Sequence, residues 1–222
     1  MKQLIVVVII LNQFCLCVFS QKDPVKKEVK WDFSLTSGGI IGGPCNPMRE
    51  SLLHYGIDNE LEVETTNNLP LVFEAGWRIN KYLRLSLNTN LLHQEMGKIK
   101  IYFNTIVINP LLSYNYRDFI FIGAGPALNA VSYSHTFMSA HDGRDFFKPG
   151  LIVKSSVEYP KTGSVYLRIE MQYNYGSRID PVYTIVGVGT SQTLSRSVRL
   201  DPFPVNYFYA GIGLGFRLYR KS

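Results

Sequence analysis

The sequence predicts an all-β fold, an up-and-down antiparallel transmembrane β-barrel of about eight strands. Three observations carry that expectation: apolar and polar residues alternate along most of the chain, no segment beyond the N-terminus is apolar for long enough to form a spanning helix, and the connections are short and long by turns. In Leu83-Arg84-Leu85-Ser86-Leu87-Asn88-Thr89-Asn90-Leu91 every odd position is apolar or Thr and every even one polar or charged. Val165-Tyr166-Leu167-Arg168-Ile169-Glu170-Met171-Gln172-Tyr173 keeps the same beat. A strand turns successive side chains to opposite faces, so each stretch has one greasy face and one wet face. A spanning helix needs about 20 apolar residues, whereas a tilted strand crosses with about 9–11. Membrane spanning therefore falls to strands.

Met1 to Ser20 reads as an export signal, with Lys2 at its start, an apolar run Leu4 to Leu11, and Cys17-Val18-Phe19-Ser20 before Gln21. Neither Cys15 nor Cys17 follows the small residue that lipoprotein processing favours. Residues 21–28 read as a polar tail and 29–222 as the barrel. Cleavage leaves about 202 residues, enough for one domain, and lowers the net charge from +6 to about +5. Cys45 is then the only cysteine, which excludes a disulfide-stapled secreted scaffold. Charged residues make up 18 %, below the usual share of about 25 %, as expected where an outer surface faces lipid. Mild basicity suits partners with acidic groups, outer-membrane lipid and lipopolysaccharide among them, and envelope proteins are further candidates. No dense Lys/Arg block lies outside Lys22 to Lys30, so there is no nucleic-acid footprint.

The strands are expected near 29–40, 68–80, 82–93, 99–116, 118–134, 147–160, 163–178 and 205–220. Asn80-Lys81, Arg117-Asp118 and Pro160 to Gly163 form tight turns; 41–67, 94–98, 135–146 and 179–204 form the longer loops. Short turns at one end and long loops at the other are the habit of outer-membrane barrels in Gram-negative envelopes. The lipid-facing set is Trp31, Phe33 and Leu35; Leu71, Phe73, Ala75 and Trp77; Leu83, Leu85 and Leu87; Val165, Leu167, Ile169 and Met171; and Phe208, Ala210, Ile212, Leu214 and Phe216. Tyr114, Tyr116, Phe119, Tyr173, Tyr175 and Tyr219 are expected in interfacial girdles. Pro110 and Pro126 fall mid-strand, where a missing donor marks a bulge or a rim, and leave the faces of those two strands open. Alternation alone also leaves open a soluble, lipocalin-like barrel with its greasy face inward.

The opposite face carries Glu74, Arg78, Arg84, Lys154, Glu158, Arg168, Glu170 and Arg217, a structural charge network for the lumen. A barrel of about eight strands is just wide enough for side chains to fill it, and opposite charges there pair. A narrow polar conduit is the alternative. No catalytic, cofactor-binding or metal-ligating residue is assigned. His54, His93, His135 and His141 fall in or beside loops without metal-ligand spacing. Ser134 and His135 are adjacent, so as strand neighbours they point apart; Ser132, Ser139 and Asp142 do not complete a triad at a recognisable spacing. Asp58, Glu60, Glu62 and Glu64 share one strand face, as a solvated extension or a divalent-cation site. The expected role is non-enzymatic, structural or interactive through the loops. The alternatives are a subunit of a secretion or motility apparatus, a narrow pore and, last, a lipid-modifying enzyme.

Leu85 to Leu92 followed by Met96-Gly97 is similar to the third strand and loop of a known family. Ile106-Val107-Ile108-Asn109-Pro110-Leu111-Leu112-Ser113-Tyr114-Asn115-Tyr116 resembles its strand built around I-P-L-L-L-K-Y, and Phe121-Ile122-Gly123-Ala124-Gly125-Pro126 its Y-V-G-A-G-P. Val157-Glu158-Tyr159 and Glu170 to Gly176 look like its E-Y and R-Y-x-Y-G strands. The family is the outer-membrane β-barrel group common in Bacteroidetes and labelled PorT-like. The resemblance covers residues 69–218 and implies fold and location. One member is tied to protein secretion, and no residue matched here carries that role. The last strand, with Gly211, Gly213, Gly215, Phe216 and Leu218, resembles the signal read by barrel-assembly machinery, although Arg220-Lys221-Ser222 replaces the usual aromatic end.

Overall fold

The computed structural model describes residues 29–54, 65–67, 70–96, 101–117, 119–137, 140–179, 183–188, 194–199 and 202–219. The expected signal 1–20, the tail 21–28 and the Asp58–Glu64 carboxylates lie outside them. Eight long strands form the staves: β1 (Val29–Gly42), β2 (Leu71–Arg78), β3 (Leu83–Met96), β4 (Ile101–Tyr116), β5 (Ile120–Phe137), β6 (Ala140–Tyr159), β7 (Val165–Gly176) and β8 (Tyr207–Tyr219). Each pairs antiparallel with its sequence neighbour, and β1 pairs with β8 from Val29↔Tyr219 to Gly42↔Tyr207. The sheet is therefore closed and has no free edge, which removes the template for edge-to-edge aggregation.

The two-residue period sorts side chains as alternation requires. Leu35, Phe73, Leu87, Ile169, Ile212 and Phe216 are exposed on the outside, while Asp32, Glu74, Arg84, Arg168 and Glu170 are buried within. All the residues expected to face lipid point outward, being exposed or partly so. A water-soluble barrel would invert this pattern, because exposing so continuous an apolar surface to water is unfavourable. Aromatic side chains gather at the short-turn end, where Trp31 stacks on Trp77 and Tyr82 on Tyr114, both pairs at 6.2 Å.

The two prolines do not make a bulge. β4 and β5 pair at Ile108↔Leu128 and again at Leu112↔Ala124, so the register is unchanged across the gap and Pro110 stands opposite Pro126. The Asn115 amide donates to Tyr82 and the Glu158 amide to Phe119, at 2.7 and 2.8 Å, which sets the hydrogen-bond phase of both strands. Odd residues of β4 bond to β3 and odd residues of β5 to β6, so the two proline nitrogens face each other. One gap absorbs both missing donors.

Three expected loops are partly ordered elements. The 135–146 segment continues the β5–β6 ladder as far as Phe137↔Ala140, because an antiparallel ladder goes on satisfying backbone groups after the apolar alternation has ended. The 41–67 segment contains a helix, α1 (Cys45–His54), and a short strand, Thr65–Asn67, that extends the β3 edge. Gly42 and Gly43, with φ of 94° and 95°, turn the chain from β1 into α1, a conformation side chains rarely adopt. A side chain on Gly43 would also strike the Gln94 amide. Within 179–204, Tyr183–Val188 pairs with Leu194–Arg199 as a hairpin, and Arg178–Ile179 pairs with Phe203–Pro204.

Candidate functional site

The lumen is filled in layers, and the layer nearest the short turns is ionic. Glu74 on β2 sits between three cations, with Lys154 Nζ at 2.6 Å, Arg84 Nη2 at 2.7 Å and Arg168 Nη2 at 3.1 Å. Glu170 on β7 meets Lys154 at 2.7 Å and Arg168 Nε at 3.2 Å, and the Thr36 hydroxyl donates to it at 2.7 Å. Glu158 on β6 meets Arg217 at 2.9 Å and Arg78 at 3.3 Å, with Arg84 and Arg168 at 3.8 and 3.9 Å. All eight residues that the sequence places in the lumen are thus brought into one network, contributed by β2, β3, β6, β7 and β8.

Sequence reasoning missed Asp32 on β1, which pairs with both Arg84 and Arg78. The signal was present: Trp31 and Phe33 face outward, so Asp32 between them must face in. Gly76 opposite Asp32 has no side chain because a Cβ there would occupy the space taken by Arg84 and Asp32. Among the described residues the network holds five cations and four carboxylates. Aromatic rings take up part of the surplus: Arg78 and Arg84 lie 5.1 and 5.2 Å from the centroid of Phe121, and Arg217 lies 4.2 Å from that of Tyr166.

Above the ions lies a neutral polar layer. The Asn88 amide donates toward Asn90, Asn109 and Gln172 at 3.0 to 3.2 Å, Asn90 donates to the Tyr207 hydroxyl at 2.6 Å, and Asn174 donates to Asn129 at 2.8 Å. Above that again the interior becomes apolar. Cys45 and Met48 of α1 are buried among Met96, Ile101, Phe103, Val131, Tyr133, Ile179, Phe203 and Val205, closing the long-loop mouth. Residues 45 and 48 are one helical turn apart and so share the face that α1 turns to the barrel. Burial in this apolar setting pushes the Cys45 thiol up to about 12.

Among the four histidines only His93 has a described side chain, and it assembles no site. His93 lies 2.6 Å from the Asn104 amide oxygen and stacks on Tyr102 outside the lumen. His135 lies within β5, with Ile101 and Asp142 as its strand partners, not in a loop. The side chains of His54, His135 and His141 are outside the described residues, as is Ser139. Among the described residues no group of three or more His, Cys, Asp or Glu is arranged to hold a metal.

No family model matches the chain, and no curated protein is similar to it. Solved structures are. The outer membrane protein AlkL in lipid bilayers is 14 % identical, with 91 % of this chain and 96 % of that one covered at a TM-score of 0.50. Neisserial surface protein A is 13 % identical over 85 % and 97 % at 0.48, and the attachment invasion locus protein Ail of Yersinia pestis is 8 % identical over 86 % and 100 % at 0.49. The likeness is one of fold. AlkL, the only one of these three to reach 0.5, agrees with the closed eight-strand barrel read directly from the pairing.

Proposed function

We propose that this chain is an exported outer-membrane β-barrel with a non-catalytic, non-conducting role, acting through the surface at its long-loop end. The observation that carries the reading is the double closure of the lumen. Ion pairs fill the half nearest the short turns, and α1 packs an apolar plug into the opposite mouth. A conduit would need a continuous file of water between those layers. The continuous apolar outside surface supports a membrane setting, and the short turns then lie on the periplasmic side. The finer affiliation with the Bacteroidetes PorT-like group rests on the strand motifs from Leu85 to Gly176, which are architectural.

In planar bilayers the purified protein is expected to give no steady conductance. Stable steps whose size changes in Arg168→Gln or Glu170→Gln would overturn the closed-lumen reading. Fractionation with outer membranes and a heat-dependent shift on gels test the setting.

A further inference from the structure

The three tight turns share one chemical feature. Each contributes a cation held against an aromatic face: Lys81 over Tyr82 at 4.6 Å, Arg117 over Tyr116 at 5.1 Å and Lys161 over Phe119 at 4.5 Å. The contacts run across strands, not only within them. Tyr82 stacks on Tyr114 of β4, the Asn115 side chain donates to the Lys81 carbonyl at 2.8 Å, and Lys161 reaches from the β6–β7 turn to a ring in the β4–β5 turn. The cations therefore lie on one arc along the rim from β3 to β7, with all three residues exposed.

The charge balance of the two ends differs. At the short-turn end the exposed charged residues among those described are Lys30, Lys81, Arg117 and Lys161, with no exposed carboxylate. At the other end the exposed carboxylates among those described, Glu50 and Asp145, offset Arg144 and Arg178. In the sequence, Lys22, Lys26 and Lys27 lead into β1 and Arg220 and Lys221 follow β8, against Asp23, Glu28 and Asp118. Among the described residues, exposed basic charge without an exposed carboxylate is thus confined to one rim.

We infer that this rim is a binding surface for the phosphates of anionic phospholipids in the leaflet at the short-turn end. This rests on the membrane reading above. The rings seat at headgroup depth, because an aromatic body is apolar and its edge tolerates water. The cation beside each ring is then at the height of the phosphate. An ammonium or guanidinium carries several donors, and a ring face engages the charge without consuming all of them. Charge complementarity favours lipids with a net negative headgroup over zwitterionic ones, and salt weakens the preference. The same arrangement disfavours lipopolysaccharide as the main partner, since among the described residues the exposed charges of the opposite rim balance.

The only two tryptophans, Trp31 and Trp77, are stacked on the outer face at this end, next to β3. They make the site readable without a label. Full-length protein would be inserted in vesicles of phosphatidylcholine containing either brominated phosphatidylglycerol or brominated phosphatidylcholine at equal mole fraction. The expected result is at least twofold stronger tryptophan quenching by the anionic lipid at low salt. The difference should shrink in 0.5 M salt and vanish in Lys81→Gln/Arg117→Gln/Lys161→Gln, while Arg178→Gln at the opposite end retains it. Equal quenching by the two lipids would overturn the inference while leaving the membrane reading intact. Absence of quenching by either, from protein with a normal gel shift, would instead overturn the membrane reading. A preference that survives the triple variant, or disappears in Arg178→Gln, places the lipid elsewhere and overturns the assignment. So would equal quenching combined with triple-sensitive sedimentation on peptidoglycan, which would make the rim a cell-wall contact.

Discussion

Glu74 is the residue on which most of the lumen converges, because three cations share its two oxygens. Buried pairs are weak stabilisers relative to apolar packing, but removing one member strands the others without compensation. Glu74→Gln is therefore expected to cost about 3–5 kcal/mol in urea unfolding of the folded barrel. Ser86→Ala, whose hydroxyl has no hydrogen-bond partner, should change little by the same measurement. On the outer surface depth decides the cost. Leu85 pairs with Trp77 at the girdle, whereas Leu87 lies one outward position further in, opposite Ala75 and Pro110. Leu87→Arg should lose about 2–4 kcal/mol, and Leu85→Arg clearly less. Equal losses would show that the apolar band is centred elsewhere.

At the scale of elements, the opposed prolines and α1 make separate predictions. Replacing Pro110 and Pro126 together by Val restores two donors aimed at the facing strand, and each hydrogen bond contributes about 0.5–1.5 kcal/mol. Hydrogen exchange should slow at residues 109–111 and 125–127 in the double variant, and no gain in stability would mean that the strands are too tightly seated there to accept it. The plug is tested through Cys45. Its folded pKa is raised from 9.0 to about 12, so its contribution is intact below 9.0 and is lost as pH rises through that window. Unfolding midpoints of the protein and of Cys45→Ala should converge as pH climbs across it, and maleimide should label the thiol only after unfolding. Staves such as β3 and β7 were legible in the sequence because one face is wholly apolar and the other polar. β4 was legible as a strand but its faces were not, because Val107 and Leu111 face a part of the lumen that is itself apolar while Ile106, Ile108 and Leu112 face out, so the two faces look alike. α1 left little trace, since a ten-residue segment beginning Cys-Asn-Pro has only a narrow apolar stripe.

For the whole molecule, closure joins the first and last staves across almost the entire chain, with Asp32 opposite Arg217. Hydrogen-bond and ion-pair partners in the lumen are similarly remote in sequence: Thr36 with Glu170, Ser34 with Arg168, Glu74 with Lys154. None of these contacts is available until β6, β7 and β8 have arrived, and such non-local pairing is slow because loop closure must precede its reward. A chain lacking β8 would present Glu158 without Arg217 and leave two unpaired edges. It is expected to remain in a protease-sensitive state under conditions that fold the full chain. The ionic layer thus has a second consequence, in time instead of energy. It reports completion: until the eighth stave closes the cylinder, the buried ions stand open along one side, and a chain one stave short stays within reach of a protease.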